Sequence, residues 1–586
     1  MITKKLNRDE WNRASAALPS RAEELAQYTE TFADTVFLDV LKAKKNQVIF
    51  GRRGTGKTHL LRRLEEEYVH RFDDHHVVPI YINSRQLRAH AKIAYQSPQA
   101  TAFALYVEFV KSTAQQIHEF IESRLSPSIL DKIFEGDQTQ RMRSAQRLAS
   151  TLYALLHHGE ALFLPVGEAS HEIRTLQEAQ SSLSGRVQLN LSDPRNLGWK
   201  VEVGAGQTRE LEESGITLRT IQGQIVLPFS EVSERIVELL GLIDASSLVV
   251  LFDEWSDIDR RLETQPYLAD MLKRTFSSIS QMHIKLACVP VRTRLATPVT
   301  SEDPIPIGYE EGDDISSDID LDTLIFLEND LSQFLPFFLT LLHRHLSASL
   351  DWVASMSLSE FSQIIENEIF ENLDVFSELC QASAGVPRDF LEIFSTATAL
   401  QTALGRPKMQ LIHVRDAAQA IYEAKRRSFA PQSKLLEVLE LIYKRIVAEH
   451  QTYFFLVAQE DVWHPALRML WTERLVHRIP AHYYDPDTHT RYVYYQLDYG
   501  KYVDLLSIEA ALKGREQGKK LSAALQEYRA TNWLSDIIAD AFSSDLADFM
   551  EEVKRRERLA SQPAGSLAPD PKEIMLPKWI LDKYGN

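Results

Sequence analysis

The residues Val48-Ile49-Phe50-Gly51-Arg52-Arg53-Gly54-Thr55-Gly56-Lys57-Thr58 have the types and spacing to hold a polyphosphate. Gly51, Gly56, Lys57 and Thr58 fit the pattern G-x-x-x-x-G-K-[ST], the P-loop. Glycines let backbone N–H groups approach phosphate oxygens with no Cβ in the way. A helix starting near Lys57 adds its positive dipole end. The lysine reaches the outer phosphates and the threonine hydroxyl reaches Mg²⁺. The expected nucleotide contacts are therefore Gly51, Arg52, Arg53, Gly54, Thr55, Gly56, Lys57, Thr58 and His59.

A second acidic element follows far along the chain. Ser247-Leu248-Val249-Val250-Leu251-Phe252-Asp253-Glu254 is an apolar run that closes on two carboxylates, the form of a Walker B element. With Thr58, Asp253 is the expected Mg²⁺ ligand. Glu254 is the expected general base that polarises the attacking water. The cofactors that follow are ATP and Mg²⁺.

These residues need a scaffold that brings distant segments together. Gln47 to Phe50 reads as a short buried strand, and Thr58 to Leu64 has helical apolar spacing. Val77 to Asn83 and His283 to Pro290 read as further buried strands. Helical patterns lie between, at Val232–Leu242 and Pro266–Ser278. Strands alternating with helices from 46 to 296 predict a parallel sheet covered on both faces. Ligands of such sheets bind at the carboxyl ends of the strands.

At 586 residues the chain is too long for one core. The expected division is 1–323 for the α/β P-loop NTPase domain, 324–430 for a helical lid, 431–506 for a winged helix, and 507–586 for C-terminal helices and a mobile tail. Residues 162–228 read as a β-rich insertion, with period-two alternation at 187–191 and 199–203. Residues 301–322, acidic and rich in turn formers, read as a linker or surface loop. No apolar run is long enough to span a membrane, and the N-terminus lacks an apolar signal core. The two cysteines, Cys288 and Cys380, sit among apolar residues and read as core, which suits a cytoplasmic protein.

The P-loop, the Asp253-Glu254 pair, the helical segment and the winged helix, in that order, resemble the AAA+ ATPases of the origin-recognition and initiator clade and their bacterial relatives. The resemblance covers roughly 40–506. It implies a switch that controls assembly of a multi-protein or protein–DNA complex, as in initiation or in a bacterial system such as phage defence. It also implies roles for three further positions. Arg388, in Gly385-Val386-Pro387-Arg388, looks like the sensor-2 arginine that contacts the γ-phosphate from the lid. Asn83 is similar to the polar residue that holds the catalytic glutamate. The third position departs from the family: the strand that should offer a sensor-1 asparagine offers Arg292, Thr293 and Arg294. Either arginine is a candidate finger acting in trans, and pairing with the acidic loop is the structural alternative.

The winged helix raises double-stranded DNA as a partner, with Arg468, Arg474, Arg478 and Arg491 as candidate contacts. Its electrostatics argue the other way. Between 435 and 506 there are seven Lys/Arg against ten Asp/Glu, and the whole chain carries −17. Self-association or a partner protein is the competing expectation. The basic run Lys425-Arg426-Arg427 lies outside the unit, where a solvated helix face is its structural alternative.

Overall fold

Short runs of β-branched and aromatic residues build the centre of the molecule. The structure, a computed structural model, describes residues 8–503 apart from 21–27, 34–35, 91–97, 126–208, 211–216, 222–223, 227–228, 260–261, 278, 300–304, 323–330, 430–432, 444–453, 460 and 486–488. In chain order the strands are β1 (Gln47–Phe50) and β2 (Val77–Asn83), then β3 (Arg209–Glu210), β4 (Thr217–Ile221) and β5 (Gln224–Val226). Next come β6 (Ser247–Asp253), β7 (Met282–Cys288) and β8 (Ser316–Asp320). Last are β9 (Phe454–Ala458), β10 (Val476–Asp485) and β11 (Thr490–Leu497).

Five strands form the central sheet in the order β2-β6-β7-β1-β8, and every pairing is parallel. Period-two alternation splits its side chains between two cores. Val78, Ile80, Ile82, Val250, Phe252 and Leu286 pack with Phe109 of the helix Pro98–Leu125 on one face. Tyr81, Val249, Leu251 and Ala287 pack with Leu60, Leu61 and Leu64 of the helix Lys57–His70 on the other. Each fully buried leucine contributes about 1.5–3 kcal/mol. The doubly covered parallel sheet predicted from the alternation is present.

One edge of the sheet is closed by a side chain. Gln116 accepts a hydrogen bond from the backbone N–H of Tyr81 at 2.9 Å and donates to its carbonyl at 2.8 Å. The other edge corrects a sequence expectation. Residues 301–322 are not only a surface loop, because Ser316–Asp320 is β8, paired with β1. Its pattern Ser-Ser-Asp-Ile-Asp hides the strand, and Ile315, Ile319 and Leu321 supply the burial.

The expected helical segment is present as Leu331–Ser347, Leu358–Ile364, Leu373–Ala382, Pro387–Ala403 and Leu411–Phe429, with shorter turns between. The helix Arg8–Ala16 packs here rather than on the sheet. Trp11 lies 6.1 Å from Trp352 and 6.3 Å from Phe361, ring centre to ring centre. Beyond it, the helices Ser433–Ile442 and Pro465–Thr472 accompany the antiparallel sheet β10-β11-β9. That is the helix, strand, helix and hairpin order expected for a winged helix. Of the expected 162–228 insertion, the antiparallel strands β3, β4 and β5 are described, while 187–191 and 199–203 lie outside the described residues. The C-terminal stretch 507–586 lies outside them as well. Among the described residues no helix is long and apolar enough to cross a membrane. Both cysteines are buried free thiols.

Candidate nucleotide site

The parallel register brings three strand ends to one edge. β1 ends just before Gly51, β6 at Asp253, and β7 just before Val289. A cavity of about 490 Å³ opens there, lined by Gly54, Lys57, Thr58, Asp253, Glu254 and Arg388 among others. Arg53 and His59 line it too.

The loop geometry demands glycine. Gly54 and Gly56 have φ of 89° and 95°. A Cβ on Gly54 would lie 2.9 Å from the Arg388 Cβ. Gly56 gives the following helix no side-chain cap, so that helix presents its first N–H groups to the cavity.

The polar side chains meet in a compact cluster. Thr58 Oγ1 donates to Asp253 Oδ2 at 2.8 Å. The Tyr81 hydroxyl donates to the same oxygen at 2.6 Å, and the Glu254 N–H donates to Asp253 Oδ1 at 2.8 Å. Lys57 Nζ donates to the carbonyls of Gly51 and Arg52 at 2.7 and 2.8 Å. Burial lowers the Lys57 ammonium from its ordinary value, against the attraction of Glu254, Asp322 and Asp253. Burial raises the Glu254 carboxyl, and the neighbouring Asp253 raises it further. Glu254 itself sits at φ 56°, ψ 37°, a left-handed conformation that non-glycine residues seldom adopt.

The other expected residues bond within the protein. Asn83 pairs in register with Asp253, but its Oδ1 accepts from the Arg85 N–H at 2.9 Å. The cation beside Glu254 is Arg85, 3.2 Å from its Oε1 and also bonded to Asp257 at 2.8 Å. Arg53 lies 3.5 Å from Asp257. His59 Nε2 bonds to the Tyr28 carbonyl at 2.8 Å, and burial lowers its pKa. Thr55 bonds back to the Arg52 carbonyl at 2.9 Å. Arg388 donates its backbone N–H to Gly54 at 3.3 Å and lines the cavity from the helix Pro387–Ala403.

Arg52 turns its side chain away from the cradle. It is 1% exposed, its N–H and Nε meet Asp322 at 2.7 and 2.6 Å, and Nη1 meets His477 Nδ1 at 2.8 Å. Arg292 pairs with Glu473, and its carbonyl accepts from Gln265 at 3.0 Å. Thr293 Oγ1 donates to the Val289 carbonyl at 2.8 Å, while the Arg294 N–H donates to Gln265 at 2.7 Å.

The arginines expected to face DNA are scattered. Arg468 donates to the Pro290 carbonyl at 3.1 Å, and Arg474 pairs with the buried Asp389. Both therefore turn toward the central sheet and the helical segment. Arg478 is half-buried near Asp320, and Arg491 is exposed on β11. Tyr492 and Tyr495 are buried in their own sheet, with Tyr495 stacked 5.7 Å from Phe455. Lys425, whose run had a solvated helix face as its structural alternative, is buried between Asp389 and Asp498 at 2.8 Å from each.

Residues 16–192 match the family model ORC-CDC6-like. That part of the chain is ORC-CDC6-like. The match takes in the P-loop, β2 and Asn83 and stops short of Asp253. The resemblance to the AAA+ origin-recognition and initiator clade, drawn above from the motifs, agrees with it. No curated protein matches the sequence. Among solved structures, the Aeropyrum pernix ORC2 protein in ADPNP-ADP complexes is 12% identical, with 80% of this chain and 89% of that one covered at a TM-score of 0.30. Drosophila ORC bound to DNA is 12% identical, with 86% and 93% covered at a TM-score of 0.28. Likenesses this weak add no weight to the ORC-CDC6-like match.

Some residues of the site are unannounced in the sequence. Arg85 and Tyr81 carry no motif. Ser20, Leu341, His345 and Leu391 line the same cavity from the N-terminal stretch and the helical segment. Only their place in the fold brings them there.

Proposed function

We propose that this chain is an ATP-binding and ATP-hydrolysing switch of the AAA+ type that controls assembly of a multi-protein complex. The observation that carries the reading is the 2.8 Å bond between Thr58 and Asp253, with Lys57, Glu254 and Arg388 around one cavity. A hydroxyl and a carboxylate at that spacing are hard oxygen donors of the kind Mg²⁺ takes, so Thr58 and Asp253 would hold the ion. The ion would supply charge neutralisation on the phosphates.

The chain's own groups do the rest. Backbone N–H groups from Gly54 to Thr58 and the helix dipole would bind the phosphates. Lys57 would leave its loop carbonyls for phosphate oxygens. Arg388 would report the outer phosphate to the lid. Glu254, raised by burial and by Asp253, would accept a proton from water, with Arg85 setting its orientation. We assign 1–323 to the ATPase domain, 324–430 to the lid and 431–506 to the winged helix, with the helix Arg8–Ala16 riding on the lid. The two buried thiols suit a reducing compartment.

Two other readings keep a specific observation each. A nucleotide-gated scaffold with little turnover is favoured by Arg292, which pairs within its own chain instead of standing clear as a finger. A DNA-binding initiator-like switch draws on the helix and hairpin order of the last unit, but the scattered arginines weigh against it.

The test is steady-state ATP turnover beside fluorescent ATP-analogue binding, for wild type and Glu254→Gln, with and without duplex DNA. Turnover is expected to fall about 10²- to 10⁴-fold in the variant, with binding held within about threefold. Stimulation by DNA would favour the initiator-like reading. A wild type that binds ATP and never turns over would favour the gated scaffold.

A further inference from the structure

One buried set of charges runs out of the P-loop and through two other parts of the chain. It starts at Asp322, after β8, which holds the N–H and Nε of Arg52. Arg52 donates to His477 on β10, whose Nε2 lies 3.3 Å from Asp498 Oδ2. Asp498 meets Lys425, Lys425 meets Asp389, and Asp389 meets Arg474. Three carboxylates face three cations, with a neutral histidine in the middle whose Nδ1 accepts and whose Nε2–H donates. No member is more than 14% exposed in its side chain.

The far end of this chain comes back to the loop. Asp389 follows Arg388, which lines the cavity. A Cβ placed on Gly54 would sit 2.9 Å from the Arg388 Cβ and 3.3 Å from Arg474 Nη1. The phosphate loop is thus gripped at Arg52, by Asp322 after β8 and His477 of the helix–hairpin unit, and again at Gly54, by Arg388 and Arg474. The same unit touches the end of β7 through Arg468 on Pro290 and Glu473 on Arg292.

We propose that Arg52 and His477 are positioning residues that couple nucleotide binding at the P-loop to docking of the helix–hairpin unit. The inference rests on the nucleotide reading of the cavity. Arg52 acts through Asp322 and His477 to fix the loop backbone, and it does not itself bind phosphate. A docked unit holds the loop in its cradle shape, so ATP favours docking, and docking favours ATP by the same factor. Whatever partner pulls the unit away weakens the nucleotide by that factor too.

His477→Phe cuts the chain at its neutral link and leaves Arg52 with Asp322 and Asp498 with Lys425. Full-length protein would be titrated with a fluorescent ATP analogue and Mg²⁺, and amide hydrogen exchange across β9 to β11 followed with and without ATP. In wild type, ATP is expected to slow that exchange. In His477→Phe, affinity is expected to fall at least about fivefold, the low end of ordinary coupling, and the effect of ATP on exchange to vanish. His477→Asn keeps an acceptor for Arg52 and should restore most of both. A folded His477→Phe that binds ATP as wild type does and keeps the exchange response overturns the proposal. If that variant does not fold, Glu473→Lys on the docking contact is judged by the same two readouts, with the same outcomes for and against. A wild type that binds no ATP overturns the nucleotide reading and this proposal together, whereas tight ATP binding with no exchange response overturns this proposal alone.

Discussion

Asp253 and Asp498 are both buried carboxylates, and their neighbours satisfy them in different ways. Asp253 receives two hydroxyls, from Thr58 and Tyr81, and one backbone N–H. Asp498 receives Lys425, His477 and the Gly500 N–H. Neutral donors orient a carboxylate without cancelling its charge, so Asp253 still has charge to offer a cation at the cavity. A facing ammonium cancels it, and Asp498 is used up in holding segments together, so the charges linked to Asp498 form a closed centre and those around Asp253 an open one. Two buried acids of one chain can thus be sorted into chemistry and structure by what surrounds them, where burial alone would not separate them.

The largest break in the closed centre should come from Asp322→Ala. It strands Arg52, which is 1% exposed, and the loss is expected to be about 3–5 kcal/mol in urea unfolding. A loss below about 1 kcal/mol would show that the ion pair is not what anchors the loop.

Acid should act next. Burial holds His477 down to about 4, despite the hydrogen bond with Asp498, while an unfolded histidine titrates near about 6.5. Between those values the unfolded chain binds a proton that the folded chain refuses. Stability is therefore full above about pH 6.5 and falls toward pH 4, by on the order of a few kcal/mol. His345, held down to about 3 by burial, adds to the same limb. Burial opposes the shift of Asp498, yet Lys425 and His477 draw it down to about 2, so its share is lost below about pH 4. Urea midpoints across this range should fall in wild type and fall less steeply in His477→Asn. Equal slopes would remove His477 from the account.

The smallest effect belongs to the open centre. Tyr81→Phe removes one donor to Asp253, worth about 1.5–3 kcal/mol for a bond to a charged group. Because Thr58 and the Glu254 N–H remain, the expectation is a higher Mg²⁺ requirement with a fall of only about a few degrees in melting temperature. A large drop in melting temperature with unchanged Mg²⁺ dependence would place Asp253 with Asp498 after all.

The same contrast explains what could be read from the sequence. The open centre is assembled from local signals: a strand, a glycine loop and a helix start within Val48–Thr58, and an apolar run that stops at Asp253-Glu254. Both motifs lie where the parallel sheet delivers them. The closed centre joins positions 52, 322, 389, 425, 474, 477 and 498, and no spacing rule connects them. Arg468 and Arg474 looked like groove contacts because residue type and helix position were all there was to judge by. Tertiary packing decided otherwise. β8 was hidden for a simpler reason, since a polar edge strand carries a turn-like composition.

The Gln116 side chain on β2 bears on how copies of this protein meet in a crowded solution. An open strand edge is a template for a second chain, and an amide that fills both the donor and the acceptor of Tyr81 interrupts that template midway. The opposite edge strand, β8, is only five residues long and so offers a short template. Extension of the central sheet is thus disfavoured at both ends, and copies that meet through it would do so by side-chain surfaces, whose geometry can answer to a nucleotide.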